Sequence, residues 1–409
     1  MSVLSRWMAT GAFLAFALAY FFSTLIRAIT ATLSPTLTQE FSLTARDLGL
    51  LAGGYFLGFA LTQLPLGNWL DRYGPKKVIL CFLSVAVAGC AAFSLAANFP
   101  TLLLARVLSG VGVSACLMAP LTGFRRWLTP ATLLRANSWM LMTGSLGMVA
   151  ATLPVQWLVP IWGWRPLFQI LAVLVAVAML VIMALVPVWT TPAQAQSNTS
   201  SYAEVWRHPY FRKLVPMGFF NYGGMVAIQT LWAGPWMIRV AGYSPLEAAT
   251  GLFWLNVSML LTFLLWGLVN PSLAKNGWSA ERLMQRLVPV SMLVLAGMIA
   301  ASALSAQSAA LWVALFCVTS TSISLAQPAV GMAFPPALAG RALSAYNLVI
   351  FSGVFAVQWG IGLLVDGFKW LGWQEVAAFQ GAMAVYLLCS LGAYVYFLSA
   401  KSHNQVQYA

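Results

Sequence analysis

Charged side chains are scarce in this chain of 409 residues. Asp, Glu, Lys and Arg together make up 7% of the residues, whereas hydrophobic residues make up 61%. A soluble domain has roughly 25% charged residues, and soluble cores divide into separate domains beyond roughly 250 to 300 residues. The composition therefore excludes a water-soluble protein and predicts a chain that uses the lipid bilayer as its solvent.

Residue types that bind metals or catalyse reactions are also few. The two histidines, His208 and His403, lie in polar segments, and the five cysteines form no Cys-x-x-Cys pair. Because no nucleophile, base and orienting group occur together, the sequence predicts no enzyme, no cofactor and no metal site. The net charge of +13 comes from short basic clusters between apolar runs, a pattern that argues against nucleic-acid binding.

Apolar runs divided by Gly, Pro and charged residues predict twelve transmembrane helices. About 20 apolar residues are needed to cross a bilayer, and an isolated span must be helical because its backbone polar groups have no other partners. The predicted spans are 7–33, 46–70, 75–97, 99–122, 136–159, 164–188, 213–238, 246–268, 283–304, 308–334, 341–366 and 373–398. The predicted domains are an N-terminal six-helix bundle (1–189), a cytoplasmic linker (190–212) and a C-terminal six-helix bundle (213–409).

The basic residues are distributed unequally between the two sides of these spans. With the N-terminus in the cytoplasm, 15 of the 21 Lys and Arg residues fall in cytoplasmic segments and four fall on the opposite side. The positive-inside rule then places both termini in the cytoplasm. We therefore expect a monomeric multi-pass protein of the cell inner membrane.

A charged motif, GNWLDRYGPKK, lies between the second and third predicted helices. Its members of interest are Gly67, Asp71, Arg72, Gly74, Lys76 and Lys77. Gly67 permits close helix approach, and Gly74 permits a tight turn. Asp71 can face the positive N-terminal end of a neighbouring helix, a contact that would form in one gate state and break in the other. The alternative is that the basic residues only set topology by contacting anionic headgroups.

This motif resembles the signature loop of the major facilitator superfamily, Gly-x-x-x-Asp-Arg-x-Gly followed by basic residues. A weaker copy over 270–277 aligns LAKNG with LDRYG, which supports an internal repeat. The patterns ARVLSGVG, with Arg106, Gly110 and Gly112, and GWRPLF at 163–168 also resemble the superfamily. The resemblance implies two pseudo-symmetric six-helix bundles that move a solute by alternating access.

Two arginines lie within predicted spans, Arg27 in the first and Arg106 in the fourth, whereas all eight acidic residues fall in loops or at helix ends. A charge inside hydrocarbon is costly and usually marks a substrate or ion pathway. Because a guanidinium matches the oxygens of a carboxylate, sulfonate or phosphate, we predict a small anionic substrate as the partner. Tyr20 and Thr24 share a helical face with Arg27, and Tyr55 on the second helix is predicted to face the same site. Snorkelling toward water is the alternative for Arg27, and capping of backbone carbonyls or coupling to protons is the alternative for Arg106.

The second half offers neutral polar and aromatic groups in place of charges. The predicted substrate contacts there are Gln229 and Trp232 on the seventh helix and Asn347 and Gln358 on the eleventh. Aromatic walls with a few amides suit a solute that has a ring beside its anionic group. Each amide is equally well explained by a hydrogen bond between helices.

The segments around Arg27 and Gly67 resemble the organophosphate antiporter and anion:cation symporter branches of the superfamily. In these branches an arginine of helix 1 commonly binds the substrate anion, and in some an arginine of helix 4 assists. The seventh helix lacks the mid-helix arginine of the organophosphate branch, which favours carboxylates over phosphate esters. We therefore predict secondary active transport of a small organic anion, with the coupling ion left open. The alternatives are an exporter of amphipathic compounds or metabolites and a sensor on the same fold that does not transport.

Overall fold

A computed structural model describes residues 4–188, 202–301 and 308–400, and nearly all of these residues are helical. Within these ranges there is no β-strand. Of the predicted linker, residues 190–201 lie outside the described residues, and residues 202–207 form a short helix, Tyr202–Arg207. The all-helical fold follows from the apolar composition, because a helix satisfies its own backbone in hydrocarbon.

Six spans make up the first half of the chain. They are α1 (Arg6–Phe41), α2 (Ala45–Leu61 continued by Gln63–Tyr73), α3 (Pro75–Ser94), α4 (Phe99–Trp127), α5 (Pro130–Ala150 continued by Leu153–Trp162) and α6 (Trp164–Leu185). The bends within α2 and α5 are 45° and 43°. Each bend has a proline as its cause, because Pro65 cannot donate to the carbonyl of Leu61 and Pro154 cannot donate to that of Ala150.

Six further spans follow the linker. They are α7 (residues 209–240), α8 (Pro245–Lys275), α9 (Ala280–Ala301), α10 (Ala309–Met332), α11 (Pro336–Trp370) and α12 (Glu375–Ser399). In the described residues, nine helices and two bent pairs are long and apolar enough to cross a membrane. With α7 they account for all twelve predicted spans, so the predicted fold class is confirmed.

The α7 helix alternates between α-helical and π-helical turns. Its π-helical segments are Met217–Tyr222, Ile228–Trp232 and Trp236–Val240. Two of the three directly follow a proline, Pro216 or Pro235, and proline removes a backbone donor from the ordinary ladder. π-helical turns widen a helix and occur frequently at functional sites.

Several helices are longer than their apolar runs. The α1 helix ends at Phe41 rather than at residue 33, and α8 ends at Lys275 rather than at residue 268. The predicted ends were wrong there because hydrophobicity marks only the part of a helix that lies in hydrocarbon. The backbone remains helical where polar side chains reach the interface.

The chain divides into two compact units. One contains Met1–Leu33 with Gly54–Ser197, and the other contains Ser34–Gly53 with Asn198–Ala409. In the first unit α3 packs between α4 and α6, and in the second α11 packs against α7 and α12. The second unit thus includes the C-terminal end of α1 and the N-terminal end of α2. The bundles 1–189 and 213–409 remain a prediction from the sequence repeat.

A matching turn supports that repeat. Gly74, which follows α2, has a φ of 79°, and Gly277, which follows α8, has a φ of 76°. Positive φ favours glycine because L side chains clash with their own backbone there. The two aligned sequences, LDRYG and LAKNG, therefore both end in a glycine with positive φ.

Candidate substrate site

Arg27 lies on α1 against an aromatic wall formed by α2. It is half-buried, and its guanidinium carbon lies 5.4 Å from the centre of the Phe59 ring, within the range of a cation–π interaction. The side chain also lies within electrostatic range of the Tyr55 hydroxyl. The Tyr55 hydroxyl donates to the carbonyl of Ser23 on α1 at 3.2 Å, so Tyr55 holds α1 and α2 together at this position.

Arg106 on α4 is fully buried and is bound to the backbone of α1. Its Nη1 donates to the carbonyl of Ile26 at 2.9 Å, and its guanidinium carbon lies 5.0 Å from the Tyr55 ring and 6.0 Å from the Phe93 ring. This bond fixes the peptide directly before Arg27. Within the first unit, Arg106 therefore positions the helix that carries the half-buried arginine.

Glycines bring α2 and α4 close enough for this arrangement. A Cβ atom added to Gly110 would lie 1.9 Å from the carbonyl oxygen of Tyr55, and one added to Gly58 would lie 2.2 Å from that of Val107. Such contacts are too short for any larger residue. Gly110 in the ARVLSGVG pattern thus places Arg106, one helical turn earlier, against Tyr55.

Tyr20 and Thr24 lie where α1 packs on α5. A Cβ atom added to Gly144 would lie 2.4 Å from the Tyr20 ring, and one added to Gly147 would lie 2.2 Å from the Thr24 hydroxyl. The Thr24 hydroxyl donates to backbone carbonyls of its own helix. Tyr20 remains within electrostatic range of Arg27. The structure thus brings Tyr55 to Arg27, whereas Tyr20 and Thr24 both pack against α5.

The amides of the second unit are hydrogen-bonded between helices. Gln229 Nε2 on α7 donates to Asn256 Oδ1 on α8 at 2.9 Å. Gln327 Nε2 on α10 donates to Asn347 Oδ1 on α11 at 2.6 Å. Both pairs connect neighbouring spans, as expected for polar groups in a membrane bundle.

Gln358 and Trp232 connect α7 and α11. The Trp232 indole donates to the Gln358 carbonyl at 3.0 Å, and Gln358 Nε2 donates to the Thr230 hydroxyl at 3.0 Å. Both side chains are fully buried. Among the described residues, Gln358 Oε1 has no hydrogen-bond partner. The geometry thus gives both residues a helix-bridging contact.

The charged motif begins in the last turns of α2 and continues into α3, and its basic residues make different contacts. Lys76 Nζ donates to the carbonyls of Met183 and Val186 at 2.7 and 2.8 Å, which caps the C-terminal end of α6. Arg72 lies over the Tyr73 ring at 5.2 Å. Gly67 lies half-buried in α2, and the Asp71 side chain is exposed. The gating role of this motif remains a prediction.

A contact within the second unit joins the N-terminal end of α2 to α11, and we call it the α2–α11 contact. The Asp366 carboxylate on α11 accepts hydrogen bonds from the backbone N–H groups of Ala45 at 3.2 Å and Arg46 at 2.7 Å. A Cβ atom added to Gly49 would lie 2.4 Å from the Gln358 carbonyl oxygen. The carboxylate satisfies free donors at the positive end of α2.

This contact borders a cavity of about 320 Å³. Besides Asp366, its lining includes Thr38, Trp232, Arg239 and Lys369. The side chain of Arg239 lies 3.9 Å from the carboxylate of Glu375. The cavity thus has charged groups of both signs at its rim and a buried indole among its lining residues.

Sequence reasoning missed two residues of these contacts. Phe59 follows Tyr55 by four residues, so the aromatic spacing on α2 was the available signal. The sequence identifies Asp366 only as an acidic residue at a helix end. Nothing local in the sequence connects it with Ala45, more than 300 residues earlier.

A sequence model of the Major Facilitator Superfamily matches residues 16–358. The chain belongs to the major facilitator superfamily. This assignment confirms the predicted family and agrees with the prediction of a membrane protein that is not an enzyme.

Two solved structures show the same fold. The D-xylose–proton symporter matches with a TM-score of 0.79, 13% identity and coverage of 96% of this chain and 98% of that one. A bacterial homologue of the human lysosomal transporter Spinster, inward-facing and occupied, matches with a TM-score of 0.76, 18% identity and 97% coverage of both chains.

Curated relatives of this superfamily member carry names of organic-acid transporters. The 4-hydroxybenzoate transporter PcaK of Acinetobacter baylyi is 27% identical over 137 residues, which covers 33% of this chain and 30% of the relative. The niacin transporter NiaP of the same organism is 29% identical over 155 residues, covering 37% and 35%. The gallate transporter of Pseudomonas putida is 27% identical over 175 residues, covering 41% and 36%. The aligned segments span about a third of the length of these relatives.

Proposed function

We propose that this protein carries a small organic anion with a carboxylate group across the cell inner membrane by alternating access. Arg27 binds the carboxylate, and both chain termini lie in the cytoplasm. The observation that carries the proposal is the Arg27 guanidinium, half-buried within α1 and placed beside Tyr55 and Phe59. The names of the relatives, which include transporters for 4-hydroxybenzoate, niacin and gallate, support a carboxylate substrate.

The distribution of acidic residues favours an anion over a cation. Each of the eight Asp and Glu residues lies within about one turn of a helix end, so no acidic side chain lies in the middle of a described span. A guanidinium held in a membrane protein without a mid-span carboxylate gains a planar, bidentate partner when a carboxylate enters. The aromatic neighbours, Tyr55 and Phe59, give a ring-bearing anion an apolar surface beside its charge.

The proposed cycle uses contacts at the two ends of α2. We propose that the α2–α11 contact stabilises one closed state and that Asp71, at the opposite end of α2, contributes to the other. The proposed gate at the Asp71 end of α2 also includes Gly67, Gly74, Arg72, Lys76 and Lys77. We propose that the helices of the second half are held in register by Gln229, Trp232, Asn347 and Gln358. Contact of these four residues with substrate stays a prediction.

The test compares carboxylates with their neutral amides on purified protein. The ligands are 4-hydroxybenzoate, nicotinate and gallate, each paired with the corresponding amide. We expect binding of at least one carboxylate with about tenfold preference over its amide, because a charge-assisted pair is worth about 1.5 to 3 kcal/mol. Arg27→Lys should weaken carboxylate binding, and Arg27→Gln should abolish the preference, since lysine lacks the planar fork.

Arg165→Gln is the matched control. Arg165 on α6 also lies over an aromatic ring, Trp164 at 4.3 Å, and its Nη2 donates to the carbonyl of Ala96 at 3.1 Å, so Arg165→Gln removes an arginine–ring contact at another position of the same unit. Parent-like discrimination in folded Arg27→Gln protein would contradict the anion site and favour an exporter of amphipathic compounds. Uptake of the bound carboxylate into proteoliposomes distinguishes a transporter from a sensor.

A further inference from the structure

An apolar groove lies on the first unit between α2, α3 and α4. Its volume is about 450 Å³, and most of its lining residues are apolar or aromatic. The rings of Trp69 on α2 and Phe82 on α3 lie 5.8 Å apart within it. Trp69, Tyr73 and Cys81 are exposed, so the groove opens at the surface of the unit. In a membrane-spanning segment such a groove offers apolar surface to a lipid chain.

Among the described residues that line this groove, Lys77 is the cation, and it lies at one end. Lys77, Cys81 and Val85 follow one another at intervals of four residues on α3 and all line the groove. Among the described residues, Lys77 has neither a hydrogen bond nor an ion pair, in contrast to Lys76, whose amino group binds the end of α6. The Lys77 ammonium is therefore available to an anion.

The other charges of the motif leave this end of the groove positive. Arg72 lies over the Tyr73 ring, which lines the groove, and so adds a second cation near its rim. Asp71 lies two residues from both Trp69 and Tyr73, which places it about 200° around the helix from them. Its carboxylate thus points away from the groove, and repulsion of an anion at Lys77 is small.

The second unit contains a groove that serves as an internal comparison. It lies between α8, α9 and α10, the equivalents of α2, α3 and α4 in the repeat, and its volume is about 270 Å³. Trp266 lines it, with its indole donating to the Thr321 hydroxyl at 3.0 Å. None of the described residues that line it is charged. The two grooves therefore differ in the feature that would select an anionic lipid.

We propose that the groove of the first unit binds one acyl chain of an anionic phospholipid, with the lipid phosphate held by Lys77. The apolar walls supply the surface for the chain, and the cation supplies the preference for a negative headgroup. With the proposed orientation the lipid belongs to the inner leaflet. The proposal itself rests only on the groove and Lys77, so it stands whether or not Arg27 binds a carboxylate.

The test measures lipid binding to the purified full-length protein by native mass spectrometry. The probes are phosphatidylglycerol and phosphatidylcholine with identical acyl chains. We expect about fivefold tighter binding of phosphatidylglycerol, the effect of one basic residue at a membrane surface, and Lys77→Gln should remove this preference. Cys81→Trp should fill the groove and weaken both lipids, whereas Val290→Trp, which fills the second groove, should leave phosphatidylglycerol binding unchanged.

A thiol-protection measurement keeps the proposal testable if Cys81→Trp does not fold. Cys81 is exposed in the native protein, whereas Cys90, Cys116 and Cys317 are buried. Phosphatidylglycerol should slow alkylation of Cys81 by N-ethylmaleimide, and phosphatidylcholine should slow it less. Equal protection by both lipids, or parent-like preference in Lys77→Gln, would overturn the anionic-lipid site. Protection by 4-hydroxybenzoate but not by lipid would overturn it in favour of a small-molecule groove.

Discussion

Buried cations in this protein are held in different ways at the residue scale. Arg106 donates to a backbone carbonyl and lies between aromatic rings, whereas Lys213, 4% exposed, pairs with Glu281. A carbonyl and rings stabilise a guanidinium without a counter-ion because its charge is delocalised. An ammonium is a compact, strongly hydrated charge, so its burial requires a carboxylate.

This difference predicts distinct effects for substitutions of Arg106. Arg106→Lys keeps the charge but removes the planar group that reaches the Ile26 carbonyl and stacks on Tyr55. We expect proteoliposome uptake to fall about tenfold with a smaller change in carboxylate affinity, because a positioning contact of about 1.4 kcal/mol is lost while Arg27 remains. Uptake kinetics and binding on the same preparation measure the two effects. A loss of affinity larger than that of Arg27→Lys would identify Arg106 as a direct ligand instead.

Removing the partner of Lys213 should lower stability. Glu281→Gln leaves a buried ammonium without its carboxylate, which costs about 3 kcal/mol in comparable buried pairs. The matched control is Glu247→Gln, at an exposed helix start where Glu247 accepts hydrogen bonds from Ser244. We expect the apparent Tm in detergent to fall by several degrees for Glu281→Gln only. An equal fall in the apparent Tm of both variants would show that water reaches Lys213.

Residue patterns predicted some of the side chains that lie near Arg27, whereas their contact with substrate stays a prediction. Arg27 and Tyr55 are in contact as expected, because charge within an apolar run is a strong signal. Thr24 shares a helical face with Arg27 in sequence, yet Gly147 brings α5 onto it. Spacing along one helix does not say which neighbouring helix covers the face. For the same reason the sequence left the amides of α7 and α11 undecided between substrate and helix contacts.

At the scale of the element, prolines and glycines explain what hydrophobic runs cannot. The hydrophobic runs predicted all twelve spans. They could not predict the bends at Pro65 and Pro154 or the close approach of Gly49 to α11, because these features depend on backbone geometry. The α2–α11 contact combines such an approach with a carboxylate at a helix N-terminus. Removing that carboxylate leaves the packing in place and weakens only the electrostatic contribution.

Asp366→Asn should therefore loosen the N-terminal end of α2. Capping interactions of this kind are worth about 1 kcal/mol, so the closed population should fall about fivefold relative to the open one. A cysteine at Leu48, buried beside the cavity, should react faster with an impermeant thiol reagent in the Asp366→Asn background. Glu375→Gln, which removes a charge at the same end of the unit, is the control. Unchanged reactivity would show that the glycine packing alone holds the contact.

For the whole molecule, the charge distribution predicts which side of the membrane each end of α2 faces. Asp71 and the basic residues of its motif lie at one end, and the α2–α11 contact lies at the other. Fifteen of the 21 Lys and Arg residues fall on the side of Asp71 in the predicted topology. Orientation therefore decides which of the two proposed gate contacts faces the cytoplasm.

Site-directed labelling can determine this orientation directly. Ser42, between α1 and α2, and Asn276, after α8, are both exposed and lie at opposite ends of the predicted topology. In protein whose accessible cysteines, Cys81 and Cys389, are replaced by alanine, an impermeant maleimide should label Ser42→Cys in intact cells. Asn276→Cys should react only after the membrane is opened, because the positive-inside rule places its loop in the cytoplasm. Labelling of Asn276→Cys in intact cells would reverse the topology, assign the α2–α11 contact to the cytoplasmic gate and move the proposed lipid to the outer leaflet.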